Sequence, residues 1–192
     1  MTTMWRVLSL AHLIDRVNER VGRAVSWLVL IMALVSAGNA ISRKLFDLGS
    51  NAFLELQWTL FAAVFLLAAG YTLKHNEHVR IDVASGRLSP RARAVIDIFG
   101  TLFFLFPLCL LILYHGLPFF LDSYRSGEVS NNPGGLTLWP GKLLIPLGFA
   151  LLLLQGVAEI IKRIAFLRGQ AGEPTPPHSP EAEDMILREE EK

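Results

Sequence analysis

The sequence predicts an all-α integral membrane protein with four transmembrane helices and with both termini in the cytoplasm. Hydrophobic residues make up 52% of the 192 residues, and the mean hydropathy is +0.42, which is rich for a soluble domain. These residues gather in four blocks, each of about 20 residues, which is enough to cross a hydrocarbon core roughly 30 Å thick. Lysine and arginine are unevenly distributed among the connecting segments, and that asymmetry predicts the orientation.

The predicted spans cover residues 24–41, 53–73, 94–113 and 143–161. Ionisable side chains inside the spans lie only near the ends. Asp97 has Arg93 four residues earlier, and Glu159 has Arg163 four residues later, a spacing that favours ion pairs on one helix face. Glu55 is expected in the first turn of span two, where a carboxylate complements the helix dipole.

Orientation follows from the basic residues. Fourteen of the 18 lysines and arginines lie before span one, between spans two and three, or after span four. The positive-inside rule therefore predicts that these three segments are cytoplasmic. Cleavage of a signal peptide near residues 35–37 is an alternative, but the apolar run exceeds the usual length of about 7–15 residues and favours an uncleaved first helix. Cleavage would leave the orientation of the other three spans unchanged.

Residues 1–23 form a cytoplasmic segment with the pattern of an amphipathic helix. Its apolar side chains recur at three- and four-residue intervals, at Val7, Leu10, Ile14, Val17 and Val21. Its polar surface is supplied by Arg6, Asp15, Arg16, Glu19 and Arg20. Such a helix could lie on the inner leaflet, or span one could simply continue into the cytoplasm.

The membrane domain is predicted over residues 24–162, followed by a tail over residues 163–192. Pro107, in the middle of span three, predicts a kink unless a neighbour satisfies the freed carbonyl group. The tail becomes rich in Pro, Glu and Ser beyond Gly169, a composition that predicts disorder. Cys109 is the only cysteine, so disulfide frameworks and cysteine-based zinc sites are excluded, and we expect this thiol to act as a small hydrophobe.

The segment HNEHVRID, residues 75–82, carries the most reactive side chains of the chain. His75 and His78 are three residues apart and Asp82 lies four further on, so all three share a face if the segment is helical. Imidazole and carboxylate suit zinc or iron, but Arg80 adds an opposing charge and no neighbouring His or Cys completes the shell. A haem shared with His115 is disfavoured because the spans place that histidine at the opposite membrane face. We expect neither a metal nor another cofactor.

Two further function classes are disfavoured. The formal net charge is only +1, and no basic stripe is interleaved with aromatic residues, so a nucleic-acid partner is not expected. A complete transporter would need mid-span polar groups and broken helices in repeated halves, and these are not found. The remaining unusual stretch is residues 127–142, where Asn132-Pro133-Gly134-Gly135 is turn chemistry. It is either a tight connection or a surface for a partner.

Several short motifs lie along the chain: Glu55 with Gln57-Trp58, Gly70-Tyr71, His78-Val79-Arg80-Ile81-Asp82, Arg87-Leu88-Ser89, Asn132-Pro133-Gly134-Gly135-Leu136 and Trp139-Pro140-Gly141-Lys142. Together they resemble the DctQ-type small membrane subunit of the tripartite ATP-independent periplasmic (TRAP) transporters. The resemblance runs from about Ser26 to Lys162.

The resemblance implies a non-enzymatic scaffold in the bacterial inner membrane. Its partners would be a large multi-span permease subunit, a periplasmic substrate-binding protein and membrane lipid, in a sodium-coupled transporter of organic acids. The candidate partner-docking residues are Glu55, Gln57, Trp58, His78, Arg80, Asp82, Gly134, Gly135 and Trp139. The alternative is a free-standing four-helix membrane anchor or assembly subunit, or, less favoured, a haem- or metal-binding membrane protein.

Overall fold

The structure, a computed structural model, describes residues 2–47, 49–75 and 89–172, with side chains from Val7 onwards. It contains four long helices: α1 (Thr2–Phe46), α2 (Asn51–His75), α3 (Pro90–Ser126) and α4 (Trp139–Leu167). Each is long enough and apolar enough to cross a bilayer. The predicted all-α class with four spanning helices is therefore confirmed. The predicted disordered tail lies outside the described residues from residue 173 onwards.

Helix α4 is the central element, because it packs against each of the other three helices. Helices α1 and α2 also pack against each other, whereas α3 is held mainly by α4. We call the end where α1 begins and α4 finishes the terminal end. The opposite end, with the connections at residues 47–50 and 127–138, is the loop end. The domain is thus three mutually packed helices with a fourth beside them.

Small residues bring the helices close together, as is usual in membranes, where lipid tails leave little hydrophobic drive for helix association. The buried apolar side chains are Ala11, Val25, Ala63, Ala94, Cys109, Ala158 and Ala165. Most are small, and fully buried Cys109 has the role predicted for it. The shortest distance to a backbone atom of another helix is at Gly148 of α4, where a Cβ atom would lie 2.7 Å from the backbone oxygen of Leu66 in α2.

Helix α3 passes Pro107 without a break by means of one π-helical turn. Residues Thr101–Leu105 form this turn, and the N–H of Phe106 donates to the carbonyl of Thr101, five residues back. A proline ring clashes with the carbonyl four residues before it, and the wider π-turn relieves that clash. The turn packs on Gly156 of α4, where a Cβ would come within 2.9 Å of the Phe106 ring.

Helix α1 is one continuous helix of 45 residues, so its first half extends span one and does not form a separate element. Its buried residues follow each other at intervals of four and three, at Ala11, Asp15, Asn18, Gly22 and Val25. Placement of this segment on the inner leaflet stays a prediction, but Asp15 does not belong to the polar outer surface predicted for it. Asp15 is buried, whereas Leu10 and Val17 are 51% and 42% exposed. Asp15 is buried because α4 has polar side chains that bond to it. The face of α1 that packs on α4 therefore consists of small and polar residues.

Candidate functional site

A polar cluster joins α1, α3 and α4 at the terminal end. Its members, which we call the terminal cluster, are Asp15, Asn18, Asp97, Gln155, Glu159, Lys162 and Arg163. Gln155 is fully buried, Asn18 is 1% exposed and Glu159 is 2% exposed. Polar groups this far from water are tolerated only when they bond to one another.

Gln155 is the centre of the terminal cluster. Its Nε2 donates to Asp15 Oδ1 at 2.7 Å and to Glu159 Oε1 at 3.1 Å. Its Oε1 accepts from Asn18 Nδ2 at 2.9 Å. An amide can both donate and accept hydrogen bonds. The Gln155 side chain therefore donates to one residue of α1, accepts from another, and also donates to a carboxylate of its own helix.

Two basic residues balance the carboxylates of the terminal cluster. Lys162 Nζ lies 3.1 Å from Asp15 Oδ1 and 2.5 Å from Glu159 Oε1. Arg163 contacts Glu159 through Nη1, so the predicted ion pair on α4 is confirmed, and its Nε reaches Asp97 Oδ2 of α3 at 3.1 Å. The pairing of Asp97 with Arg93 stays a prediction. Arg163 therefore links α3 to α4, and Lys162 links α1 to α4.

Helix α2 joins this end of the domain through Glu19 of α1. The carboxylate accepts from Lys74 Nζ at 2.6 Å and lies 2.9 Å from His75 Nε2. The His75 ring also packs on Tyr71, with ring centroids 4.3 Å apart. His75 is thus engaged by a carboxylate of α1, whereas His78, Arg80 and Asp82 lie outside the described residues. Within the described ranges, no group of three or more His, Cys, Asp or Glu is suited to a metal ion.

The loop end is organised by Glu55, which is 9% exposed. Its Oε1 accepts from the Ser130 hydroxyl and, at 2.9 Å, from Asn132 Nδ2. Its Oε2 accepts from the backbone N–H of Leu136 at 2.7 Å. The prediction that Glu55 belongs to the first helical turn is wrong, because α2 begins at Asn51 and its first turn holds no acidic residue. The carboxylate binds the α3–α4 loop, residues 127–138, and not the helix amides.

The two glycines of the predicted turn allow this loop to fold over Glu55. Gly134 has φ +70°, a left-handed conformation that favours glycine. At Gly135 a Cβ would lie 2.5 Å from Ser130 Cβ and 2.9 Å from Glu55 Oε1. The N–H of Ser130 donates to Leu136 O at 2.9 Å and closes the loop on itself.

A second carboxylate of the loop, Glu128, pairs with Lys142 in the first turns of α4. The hydrogen bond from Lys142 lowers the pKa of Glu128 below its ordinary value of 4.5. Lys142 Nζ also lies 4.1 Å from the centre of the Phe119 ring, a cation–π contact. The loop is therefore fastened to α2 by Glu55 and to α4 by Glu128.

The remaining candidates at the loop end occupy three different surroundings. Trp58 is 67% exposed and lines a groove of about 300 Å³ between α2 and α4. Gln57 lines another groove, of about 470 Å³, with Asn39 and Arg43 of α1. Trp139 packs edge-on against Tyr124, with ring centroids 5.5 Å apart. The structure thus brings together Glu55, Gly134 and Gly135, and places the other three around them.

The architecture defines a multi-pass membrane protein whose described polar residues hold its own helices and loop together. The sequence model of the family described as "Tripartite ATP-independent periplasmic transporters, DctQ component" matches residues 32–166. The chain belongs to this family, as its motifs predicted, and is the small permease component of a TRAP transporter. It is similar to the ectoine TRAP transporter small permease protein TeaB of Halomonas elongata, with 27% identity over 143 residues, which cover 71% of this chain and 69% of that protein.

Proposed function

We propose that the chain is the non-catalytic subunit that supports the large permease of a TRAP transporter in the bacterial inner membrane. The observation that carries this proposal is the internal bonding of the terminal cluster. Substrate and ion sites of secondary transporters need polar groups that face a cavity near the middle of the bilayer. In this chain Gln155 bonds instead to Asp15 of α1, and Arg163 bonds to Asp97 of α3. Glu159 accepts from Arg163 of its own helix, and a polar cluster bonded internally in this way is what a rigid scaffold requires.

The proposed orientation places the terminal end in the cytoplasm and the loop end in the periplasm. In the sequence, 14 of the 18 lysines and arginines lie before span one, between spans two and three, or after span four, which supports this orientation through the positive-inside rule. The α3–α4 loop then faces the compartment from which a soluble binding protein delivers substrate. Lipid and the large subunit share the outer faces of α1 and α3.

Sodium coupling and substrate choice are assigned to the other subunits. Family resemblance favours organic acids as substrates, and the name of the similar protein adds ectoine as a compound to test. Because we assign no substrate-binding residue to this chain, exchanging it for the small subunit of another family member should leave the order of substrate preference unchanged. The exchange would instead affect assembly with the large subunit.

The test is co-expression with the large subunit of the same transport system, purification through a tag on this chain, and reconstitution in liposomes. We expect the large subunit to co-purify. Sodium-dependent uptake of an organic acid or ectoine should require the large subunit and the binding protein, and this chain alone should transport nothing. Transport by the isolated chain would contradict the proposal. Purification without the large subunit would favour the free-standing anchor, and a Soret band would favour a haem protein.

A further inference from the structure

Glu55 joins parts of the chain that are far apart in sequence. Its three hydrogen-bond donors, Ser130, Asn132 and Leu136, all belong to the α3–α4 loop. The loop is also tied to the first residue of α2, because Asn51 Nδ2 donates to Pro133 O at 3.0 Å. The start of α2 thus fixes the conformation of the loop through hydrogen bonds from Asn51 and to Glu55.

The loop also has an exposed and uncharged part. We call Val129, Asn131, Pro133 and Gly134 the loop tip; all four are exposed, and Val129 is 57% exposed. Val129 lies in the loop, outside the four helices. The only ionisable residue of the loop is Glu128, and Lys142 neutralises it.

We propose that Glu55 is a positioning residue that holds the loop tip in the shape recognised by the periplasmic binding protein. This inference rests on the proposed function, because it requires the loop end to face the periplasm. A soluble protein fits this surface because the loop tip lies between the end of α3 and the start of α4, on the side that the proposed orientation exposes to the periplasm. Ordering the loop before binding removes an entropy cost that a flexible loop would meet on association.

A carboxylate suits this position because it only accepts hydrogen bonds, and the three groups around it all donate. Replacement by glutamine would direct an NH₂ group at one of those donors. Gly135 completes the arrangement, since any larger residue there would push Ser130 away from Glu55. The hydrogen bonds to Glu55 thus suit a role in fixing the conformation of the loop, including the loop tip.

The experiment uses the complex of this chain with the large subunit in lipid nanodiscs. The dissociation constant of the binding protein is measured for the wild type, Glu55→Gln, Ser130→Ala and Val129→Ser. Asp122→Asn is the matched control, because Asp122 is an exposed carboxylate near the same end and outside the loop. Transport is measured in parallel as the concentration of binding protein that gives half the maximal rate, and as the maximal rate itself.

We expect Glu55→Gln to weaken binding about tenfold, as the loss of charge-assisted hydrogen bonds would do. Ser130→Ala should weaken it by a smaller factor, and Asp122→Asn should leave it unchanged. The half-saturating concentration should rise while the maximal rate and the amount of co-purified large subunit stay constant, which a general loss of folding would not produce.

Wild-type affinity in both Glu55→Gln and Ser130→Ala would overturn the inference, as would reduced co-purification of the large subunit with Val129→Ser. If Glu55→Gln does not fold, Ser130→Ala decides alone, because it keeps the carboxylate and its other two partners. Failure of the proposed function is distinguishable, since the wild-type chain would then not co-purify with the large subunit at all.

Discussion

Gln155 Nε2 donates a hydrogen bond to Asp15 Oδ1 at 2.7 Å, between residues 140 positions apart in the chain. The two side chains lie on α4 and α1, and both residues are buried. A polar contact inside a membrane domain has no water to replace it when it is broken, although other polar groups can partly substitute. This bond therefore fixes the register of α1 on α4 more strictly than the apolar contacts around it.

The first prediction concerns this bond. Gln155→Ala removes two donors and one acceptor, and leaves Asp15 and Asn18 buried with fewer partners. We expect a loss of about 1–3 kcal/mol, the cost of unsatisfied buried polar groups, measured as thermal unfolding of the purified protein in detergent. The control is Leu154→Ala, one residue away on the exposed side of α4 at 47% exposure. Equal unfolding temperatures for the two variants would mean that the terminal cluster contributes no stability.

Gly148 gives a second prediction, about the contact between α2 and α4. A Cβ at this position would lie 2.7 Å from the Leu66 carbonyl oxygen, which is a backbone atom and has no rotamer with which to move away. Gly148→Ala should therefore separate the two helices at a cost of about 1–3 kcal/mol. It should lower the yield of monodisperse protein in size-exclusion chromatography.

The matched control for Gly148 is Gly38→Ala in α1. A Cβ at Gly38 would meet nothing within 4 Å, and alanine favours a helix by up to about 1 kcal/mol over glycine. Gly38→Ala should thus be neutral or stabilising. Equal changes in stability from the two alanines would contradict the cost assigned to the close approach at Gly148.

The fold was predictable because its signal is carried by composition over long segments. Four apolar blocks and the distribution of basic residues need no knowledge of packing. The helices extend beyond those blocks, since α3 runs from Pro90 to Ser126 whereas the apolar signal weakens near Leu113. Polar residues continue a helix as readily as apolar ones do, so hydropathy marks the apolar part of a helix and not its ends.

The site was predictable only in part, because the hydrogen-bond partners of its side chains lie far away in the sequence. Asp15 looked like part of a solvent-facing surface, since nothing nearby in sequence indicated that Gln155 and Lys162 lie against it. A usable signal was the spacing of Gln155 and Glu159, two polar residues four apart on one face of an otherwise apolar span. Glu55 was selected for its motif, but its partners lie in a loop about 80 residues later.

The ion pair between Glu128 and Lys142 predicts a pH dependence at the loop end. The pKa of Glu128 is lowered in the folded protein, so the pair stabilises the fold above the ordinary value of 4.5 and loses that effect as the pH falls through the lowered pKa. The difference in unfolding temperature between the wild type and Glu128→Gln should therefore shrink on acidification from neutral pH to about pH 3. A difference that stays constant over this range would contradict the assignment of the pair.

The contact between Gly70 of α2 and Asn18 of α1 gives a final prediction, about coupling. A Cβ at residue 70 would lie 2.3 Å from Asn18 Oδ1 and 2.9 Å from Cγ. The Oδ1 atom is buried and has no conventional hydrogen-bond partner among the described residues. It occupies the space that glycine leaves open, where a weak Cα–H···O contact can form. Gly70→Ala should therefore be strongly destabilising in the wild-type background.

Asn18→Ala removes the atoms that the new Cβ would meet, although it also takes a donor away from Gln155. The double variant Gly70→Ala with Asn18→Ala should be more stable than the sum of the two single losses predicts, by an interaction energy of about 0.5–3 kcal/mol. Thermal unfolding of all four proteins measures this energy. Additive losses would mean that Gly70 serves another contact, such as docking of the large subunit, which co-purification of the Gly70→Ala variant would then reveal.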